Sequence, residues 1–276
     1  MKRLALFLLL SALFLSGCSS VDDSIPPPMV PDDTIVTFTP PASITAQPSV
    51  SVPPDVSPPE ETTADTSPEP QASVPPLPSF TIDDITFLGD STTYGLKAYE
   101  MLSGGKNTAQ VWTPSSGTLA LFNQSFATIV YPPTGTEIPI REAVADSQPK
   151  LLIVTLGVNG VSTMDESDFK ADYSDLIEGI QAASPNTVIV LQSIFPVASH
   201  YGHLGSINND KISAANVWIK EIAGDYGLTY VDTYSQLVGS DGWLPENIQN
   251  GDGLHLNSNG FSIVLNNIRN ELGITK

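Results

Sequence analysis

Apolar and polar residues alternate regularly along the chain from about Phe80 onwards. Short apolar runs, typical of strands buried on both faces, alternate with longer segments that have apolar residues at helical spacing. The predicted strands are "ITFLG" (85–89), "AQVWT" (109–113), "KLLIVTLG" (150–157), "TVIVLQSI" (187–194) and "LTYVD" (228–232). The predicted helices are "YGLKAYEML" (94–102), "REAVADSQP" (141–149), "ESDFKADYSDLIEGIQAAS" (166–184), "NNDKISAANVWIKEIAGDYG" (208–227) and "NSNGFSIVLNNIRNEL" (257–272). The pattern assigns no element to "LFNQSFATIVYPP" (121–133).

This alternation of strand and helix predicts an α/β domain over residues 81–276. We expect a three-layer α/β/α sandwich around a parallel, flavodoxin-like sheet of about five strands, with right-handed crossovers. In such sheets, functional sites form beyond the carboxyl ends of the strands. The residues directly after each predicted strand are therefore the first candidates for a site.

After three of the predicted strands, the chain has polar residues that could act together as a nucleophile, a base and an oxyanion donor. Ser91 comes after the first strand, Asn159 after "KLLIVTLG", and Asp252 with His255 in the long loop between the last strand and the final helix. A serine hydroxyl is a weak nucleophile that needs a base within hydrogen-bond reach. Because His255 is three residues after Asp252, a turn would let the carboxylate reach Nδ1 and leave Nε2 free for the Ser91 proton. The Asn159 amide and nearby backbone N–H groups could hold an oxyanion.

The same three stretches resemble the sequence blocks of the SGNH hydrolases, also called the GDSL family. The first block is "FLGDSTTYG" (87–95), and the last block, Asp-x-x-His, is "DGLH" (252–255). The block Gly-x-Asn-Asp appears as "GVNG" (157–160), in which Gly160 replaces the family aspartate. The resemblance spans roughly residues 84–272. It implies the α/β fold of this family and an esterase activity, and the implied reaction requires no cofactor and no metal.

The resemblance also assigns roles to residues. It implies a catalytic triad of Ser91, Asp252 and His255 and an oxyanion hole formed by Ser91, Gly117 and Asn159. Gly117, in "TPSSGTLAL", is the best match to the glycine of the second block, with Gly104 and Gly105 as alternatives. Gly160 is expected to alter the loop geometry or the fit of the substrate without abolishing activity.

Several of these residues have a plainer interpretation. Ser91 could cap the following helix, because serine is a favoured N-cap residue. Asp90 is predicted to be structural. His200 and His203 have a spacing that metal ligands use, but without a neighbouring carboxylate or cysteine signature we expect them to be loop residues. Trp243 is the best candidate among the tryptophans for a sugar-stacking platform.

The N-terminal sequence "MKRLALFLLLSALFLSGCSS" (1–20) has basic residues, then a short apolar run, then small residues. This order is typical of a secretion signal. The only cysteine of the chain, Cys18, closes a tetrapeptide that resembles a bacterial lipobox. We therefore predict a lipoprotein signal peptide over 1–18, with Cys18 lipidated and holding the protein at the membrane.

Residues 19–80 hold sixteen of the 24 prolines and no Lys or Arg, which predicts a disordered tether. A ligand for a Pro-recognising protein is an alternative. The net charge of −19 argues against nucleic acid as a partner. Taken with the activity that the family resemblance implies, these features predict an extracytoplasmic, lipid-anchored enzyme that acts on an acylated small molecule or glycan, with an O-acetyl ester on a glycan as the expected substrate. An O-acyltransferase using the same triad and a non-catalytic surface binding protein remain the alternatives.

Overall fold

The computed structural model describes residues 79–274. The predicted signal peptide (1–18), Cys18 and the predicted tether up to residue 78 lie outside the described residues. Within 79–274, no helix combines the length and the apolar character that crossing a membrane requires.

Strands and helices alternate along the described residues much as the sequence predicts. The strands are β1 (Ile85–Gly89), β2 (Val111–Trp112), β3 (Thr128–Tyr131), β4 (Thr136–Pro139), β5 (Leu151–Thr155), β6 (Val188–Gln192) and β7 (Thr229–Val231). The helices are α1 (Ser91–Ala98), α2 (Ile140–Ser147), α3 (Glu166–Ala183), α4 (Asn209–Asp225), α5 (Tyr234–Leu237) and α6 (Ser258–Leu272).

Five strands form one parallel sheet in the order β2-β1-β5-β6-β7. Counted along the chain within this sheet, the order is second, first, third, fourth, fifth, which is the flavodoxin-like arrangement. The predicted fold is therefore confirmed. The reversal of order lies at β1, between β2 and β5, so the carboxyl end of β1 is where a site is expected.

Helices cover both faces of the sheet. Helices α2, α3 and α4 pack with Leu152 and Val154 of β5 in one apolar cluster. Helices α1 and α6 pack with Leu151 and Ile153 of the same strand in a second cluster. Because neighbouring side chains of a strand point to opposite faces, an apolar run without alternation is what a strand between two helical layers requires.

Helix α1 differs from its predicted bounds. It begins at Ser91 and ends at Ala98, whereas the apolar pattern placed it over 94–102. It begins earlier because the Asp90 side chain accepts a hydrogen bond from the Thr92 backbone N–H and caps the first turn. It ends earlier because Glu100 adopts a left-handed backbone conformation, with φ of 56°.

The segment 121–133, to which the sequence assigned no element, contains a 3-10 turn and strand β3. Strand β3 pairs antiparallel with β4 in a separate two-stranded hairpin. The hairpin supports the loop after β2, since Val130 N–H donates to Thr113 O at 2.9 Å. Glu137 Oε1 also accepts from the backbone and hydroxyl of Ser115, at 2.8 and 3.0 Å. This small hairpin thus fixes the loop that carries Gly117.

Candidate active site

The three predicted blocks meet at the carboxyl edge of the sheet. Ser91 is the first residue of α1, directly after β1, and Asn159 follows the neighbouring strand β5. Asp252 and His255 lie in the turn that precedes α6. The parallel register pairs the last residue of β1 with the last residue of β5, so the loops that follow lie side by side.

Ser91, His255 and Asp252 form a continuous chain of hydrogen bonds. His255 Nε2 lies 2.8 Å from Ser91 Oγ, and His255 Nδ1 lies 2.6 Å from Asp252 Oδ2. An ionised carboxylate only accepts hydrogen bonds, so Nδ1–H donates to Asp252 and Nε2 accepts from the Ser91 hydroxyl. The His255 side chain is 16% exposed. The geometry allows the imidazole to take the serine proton.

The turn around Asp252 is built to hold a carboxylate. Its Oδ1 accepts from the backbone N–H groups of Leu254 and His255, at 2.8 and 2.9 Å. Burial disfavours the charge on Asp252, but the hydrogen bonds from the His255 side chain and from these two N–H groups outweigh it and lower the pKa of Asp252 below its usual value. The carboxylate is therefore charged at neutral pH and can stabilise an imidazolium.

The structure separates the two interpretations of Ser91. The helix cap is Asp90, whose Oδ1 accepts from Thr92 N–H at 2.9 Å and from Thr92 Oγ1 at 2.7 Å. The Ser91 hydroxyl contacts His255 instead. Because Ser91 is the first residue of α1, its own N–H has no acceptor within the helix.

Asp90 has a contact that sequence reasoning missed. The residue is fully buried, and its Oδ2 accepts from Asn159 Nδ2 at 3.0 Å. Burial raises the pKa of Asp90 to about 6, against the opposing hydrogen bonds from Thr92. The prediction of a structural role covers the helix cap but not Asn159. The order of the strands could have indicated this contact. Asp90 and Asn159 follow two parallel strands that lie side by side, so they are neighbours at the sheet edge.

Gly117 is the glycine that lies beside Ser91. A Cβ built on Gly117 would stand 3.5 Å from Ser91 Cβ, and the φ of 75° favours glycine at this position. Its N–H donates to Pro114 O at 3.0 Å in a turn. Gly104 and Gly105 lie instead in a 3-10 turn whose neighbours are Thr108 and Glu100. The location therefore favours Gly117 among the candidates, while its role in the oxyanion hole stays a prediction.

The position where Gly160 replaces the family aspartate is closely packed. A Cβ on Gly160 would meet Met164 Sδ at 2.9 Å and Leu121 Cβ at 3.8 Å. The turn is closed by the backbone, with Gly160 N–H donating to Gly157 O at 2.8 Å. No side chain at position 160 is needed to hold this turn.

The two other histidines lie in the loop between β6 and α4, as predicted. His200 Nδ1 lies 3.0 Å from Glu246 Oε1, and the His203 ring packs edge-on against Tyr201. Among residues 79–274, no group of three or more His, Cys, Asp or Glu side chains could hold a metal ion. The loop contacts the turn that carries Asp252 and His255 through its backbone, since Ala198 N–H donates to Gly253 O at 2.8 Å.

Comparison with known proteins identifies the family. The model of the GDSL-like lipase/acylhydrolase family matches residues 87–263. The fold is similar to that of a candidate acylhydrolase from Bacteroides fragilis, with a TM-score of 0.53 and 21% identity over 74% of this chain and 92% of that chain. It is also similar to a GDSL-like lipase from Bacteroides thetaiotaomicron, with a TM-score of 0.52 and 19% identity over 71% of this chain and 92% of that chain. A search of curated protein sequences finds no match.

The family match spans well over half of the chain and includes all three sequence blocks. The two solved structures support the same α/β architecture independently of sequence identity. The chain therefore belongs to the GDSL-like lipase/acylhydrolase family of serine ester hydrolases.

Proposed function

We propose that the protein hydrolyses an acyl ester with Ser91 as nucleophile, His255 as general base and acid, and Asp252 as the group that orients His255. The observation that carries this proposal is the chain of hydrogen bonds of 2.8 and 2.6 Å that joins the three side chains. A serine that only caps a helix would have no reason to contact an imidazole that is itself held by a carboxylate.

The reaction follows from this geometry in two halves. Ser91 Oγ attacks the acyl carbon while its proton moves to His255 Nε2, and the carbonyl electron pair becomes an oxyanion. The intermediate collapses, and the leaving alcohol takes the proton from His255 as the acyl-enzyme forms. Water then attacks the acyl-enzyme, giving its proton to His255. Collapse of the second intermediate returns that proton to Ser91 Oγ and releases the carboxylic acid.

The proposed oxyanion donors lie around Ser91. They are the Ser91 N–H at the start of α1, the Asn159 side-chain amide and the Gly117 N–H. The N-terminal end of a helix favours negative charge, which adds to the stabilisation. For Gly117 to take part, its N–H has to exchange its present acceptor, Pro114 O, for the oxyanion.

We propose an O-acetylated glycan as the substrate class. Ser91 is only partly buried, which suits an ester presented on a polymer. Tyr94 lies one turn after Ser91 on α1, and 47% of it is exposed. Residues three apart share a helix face, so this ring offers a flat apolar surface for a sugar next to the nucleophile. The export signal and tether predicted from the sequence support this substrate class, since such polymers occur outside the cytoplasm.

The substrate class is tested with the purified protein on p-nitrophenyl esters of increasing acyl length and on an O-acetylated polysaccharide. We expect the highest kcat/KM for acetate and release of acetate from the polysaccharide. A preference for long acyl chains, with no acetate released from the polymer, would contradict the glycan proposal.

A transferase using the same triad is the second candidate, because a sugar hydroxyl can take the place of water as the acceptor of the acyl group. Product analysis with a sugar acceptor separates the two. Free acetate as the main product supports the hydrolase. If the acetylated acceptor is the main product, the protein is a transferase and the hydrolase proposal is wrong. No turnover of any ester would leave a surface binding protein with this fold.

A further inference from the structure

We propose that Asp90 is a positioning residue that fixes the Asn159 amide as an oxyanion donor. This inference rests on the proposed function, since it assigns how the oxyanion hole of the same site is held in place. Its starting point is the 3.0 Å hydrogen bond from Asn159 Nδ2 to Asp90 Oδ2, between loops that follow two neighbouring strands.

The geometry of the amide explains why one hydrogen bond to Asp90 is enough to orient the Asn159 side chain. The nitrogen of a side-chain amide carries two N–H groups in directions fixed by the amide plane. The bond to Asp90 engages one of them. The other contact of Asn159 Nδ2, to Leu119 O, is long at 3.4 Å and therefore weak. Pinning the first N–H sets the plane, and the second N–H can leave Leu119 O for a developing oxyanion.

Asp90 is itself held rigidly. Its Oδ1 accepts two hydrogen bonds from Thr92 at the start of α1, and the whole side chain is buried. The same carboxylate therefore connects the helix that carries Ser91 to the amide of Asn159. The adjacent position 160 is a glycine and supplies no carboxylate, so the carboxylate that contacts the Asn159 amide is that of Asp90.

The charge of Asp90 is costly for the fold, which argues against a purely structural role. Burial disfavours the ionised form, as the raised pKa of about 6 shows. The titratable groups near Asp90 are His255, whose positive charge would favour the carboxylate, and Tyr173 from α3. A neutral residue would cap α1 as well and avoid this cost. The carboxylate is the better acceptor for fixing an amide donor.

Two substitutions separate positioning from capping. In Asp90→Asn, the side-chain oxygen can still serve Thr92, but an NH₂ group then faces the NH₂ group of Asn159. The Asn159 amide must turn, which removes its N–H from the oxyanion. In Asp90→Ser, the cap is preserved because serine caps as well as aspartate, but the side chain no longer reaches Asn159.

We expect both variants to lower kcat for p-nitrophenyl acetate by about 10²–10³-fold with KM changed by less than about threefold, as for the loss of one oxyanion donor. Asn159→Ala should cost a similar factor. The double variant Asp90→Asn/Asn159→Ala should be no slower than Asn159→Ala alone, because both substitutions remove the same donor.

The matched control is Asp232→Asn, which changes another aspartate that follows a strand of the sheet and accepts from Ser235 at 3.1 and 2.6 Å. It should keep the wild-type kcat. Wild-type kcat in Asp90→Ser, or losses that multiply fully in the double variant, would overturn the positioning role. Ser91→Ala tests the proposed function separately: turnover that does not need Ser91 would refute the triad, whereas a dead Ser91→Ala with an unaffected Asp90→Ser would refute only the role of Asp90.

Discussion

At the scale of single residues, the proposed mechanism depends on His255, which is hydrogen-bonded through both ring nitrogens. The Asp252 bond fixes which nitrogen carries the proton, and the Ser91 bond holds the hydroxyl where the proposed mechanism needs it. The lowered pKa of Asp252 keeps the orienting group charged. Each of these interactions can be removed singly.

Asp252→Asn should lower kcat by roughly 10³–10⁴-fold, because an amide can donate to Nδ1 and so favour the wrong imidazole tautomer. KM for p-nitrophenyl acetate should stay nearly constant. Steady-state kinetics measures the change, with Asp241→Asn, an exposed aspartate that accepts from Trp243 N–H at 3.1 Å, as the control. A kcat for Asp252→Asn within about threefold of the wild type would contradict the assigned role.

The raised pKa of Asp90 predicts a pH-dependent difference in stability. In the folded state the pKa is about 6, against a usual 3.8, so the folded protein binds the proton more tightly. Stability from this group is therefore lost as pH rises from about 4 to about 6, by roughly 3 kcal/mol. Asp90→Asn does not titrate and escapes this loss.

Urea unfolding of wild type and Asp90→Asn at pH 4 and pH 8 tests this. The free energy of unfolding of Asp90→Asn should rise relative to that of the wild type when the pH is raised from 4 to 8. A difference between the proteins that does not change with pH would show that Asp90 titrates normally.

The sequence predicted that Ser91, Asp252 and His255 come together, but not the Asp90–Asn159 contact. Ser91, Asp252 and His255 belong to short blocks whose internal spacing already indicates chemistry. Asp90 and Asn159 are 69 residues apart, and their contact depends on the register of two strands. Sequence patterns indicate where strands lie along the chain, but not the register in which two strands pair.

At the scale of elements, the close approach of α1 to β1 sets the position of Ser91, the proposed nucleophile. A Cβ on Gly89 would stand 2.0 Å from Thr93 Oγ1 and 2.8 Å from Thr155 O. Glycine at this position lets the first turn of α1 lie directly over the strand ends. The position of Ser91 therefore depends on a residue that has no side chain.

Gly89→Ala should lower the free energy of unfolding by about 1–3 kcal/mol and also reduce kcat, because α1 must shift to relieve the overlap. Thermal unfolding and esterase assays measure the two effects. Gly224→Ala is the matched control: position 224 lies in α4 with open space around it, and alanine should stabilise the helix by up to about 1 kcal/mol. A Gly89→Ala protein as stable and active as the wild type would contradict this explanation.

Long periodic elements were predicted well, and short ones were not. The runs that became β5, β6, α3 and α4 are long enough for their period to identify them. The hairpin β3–β4 was missed because β4 is mostly exposed and prolines follow β3, which together resemble a loop. The ends of α1 depend on the Asp90 cap and on Glu100 rather than on its apolar pattern.

At the scale of the whole molecule, we propose that the catalytic domain is held outside the cytoplasm by a lipid on Cys18 and a proline-rich tether. Both segments lie outside the described residues, and the proposal rests on the sequence patterns alone. The domain needs no spanning helix for this arrangement, because acyl chains can anchor a protein by themselves.

Cys18→Ser should release the protein from the membrane fraction without changing its esterase activity, because position 18 lies far from the site in sequence. Fractionation of cells that express each form, followed by immunoblotting, measures the release. Removal of three prolines from the tether should leave the membrane fraction unchanged and serves as the control. Equal membrane retention of Cys18→Ser and wild type would refute the lipid anchor.

The most direct test of the account is covalent labelling of the nucleophile. A p-nitrophenyl phosphonate mimics the tetrahedral intermediate and bonds to an activated serine. Peptide mass spectrometry should find the adduct on Ser91 in the wild type, no adduct in Ser91→Ala and slow labelling in His255→Ala. An unlabelled wild type, or an adduct on another residue that persists in Ser91→Ala, would contradict the assignment of Ser91 as the catalytic nucleophile.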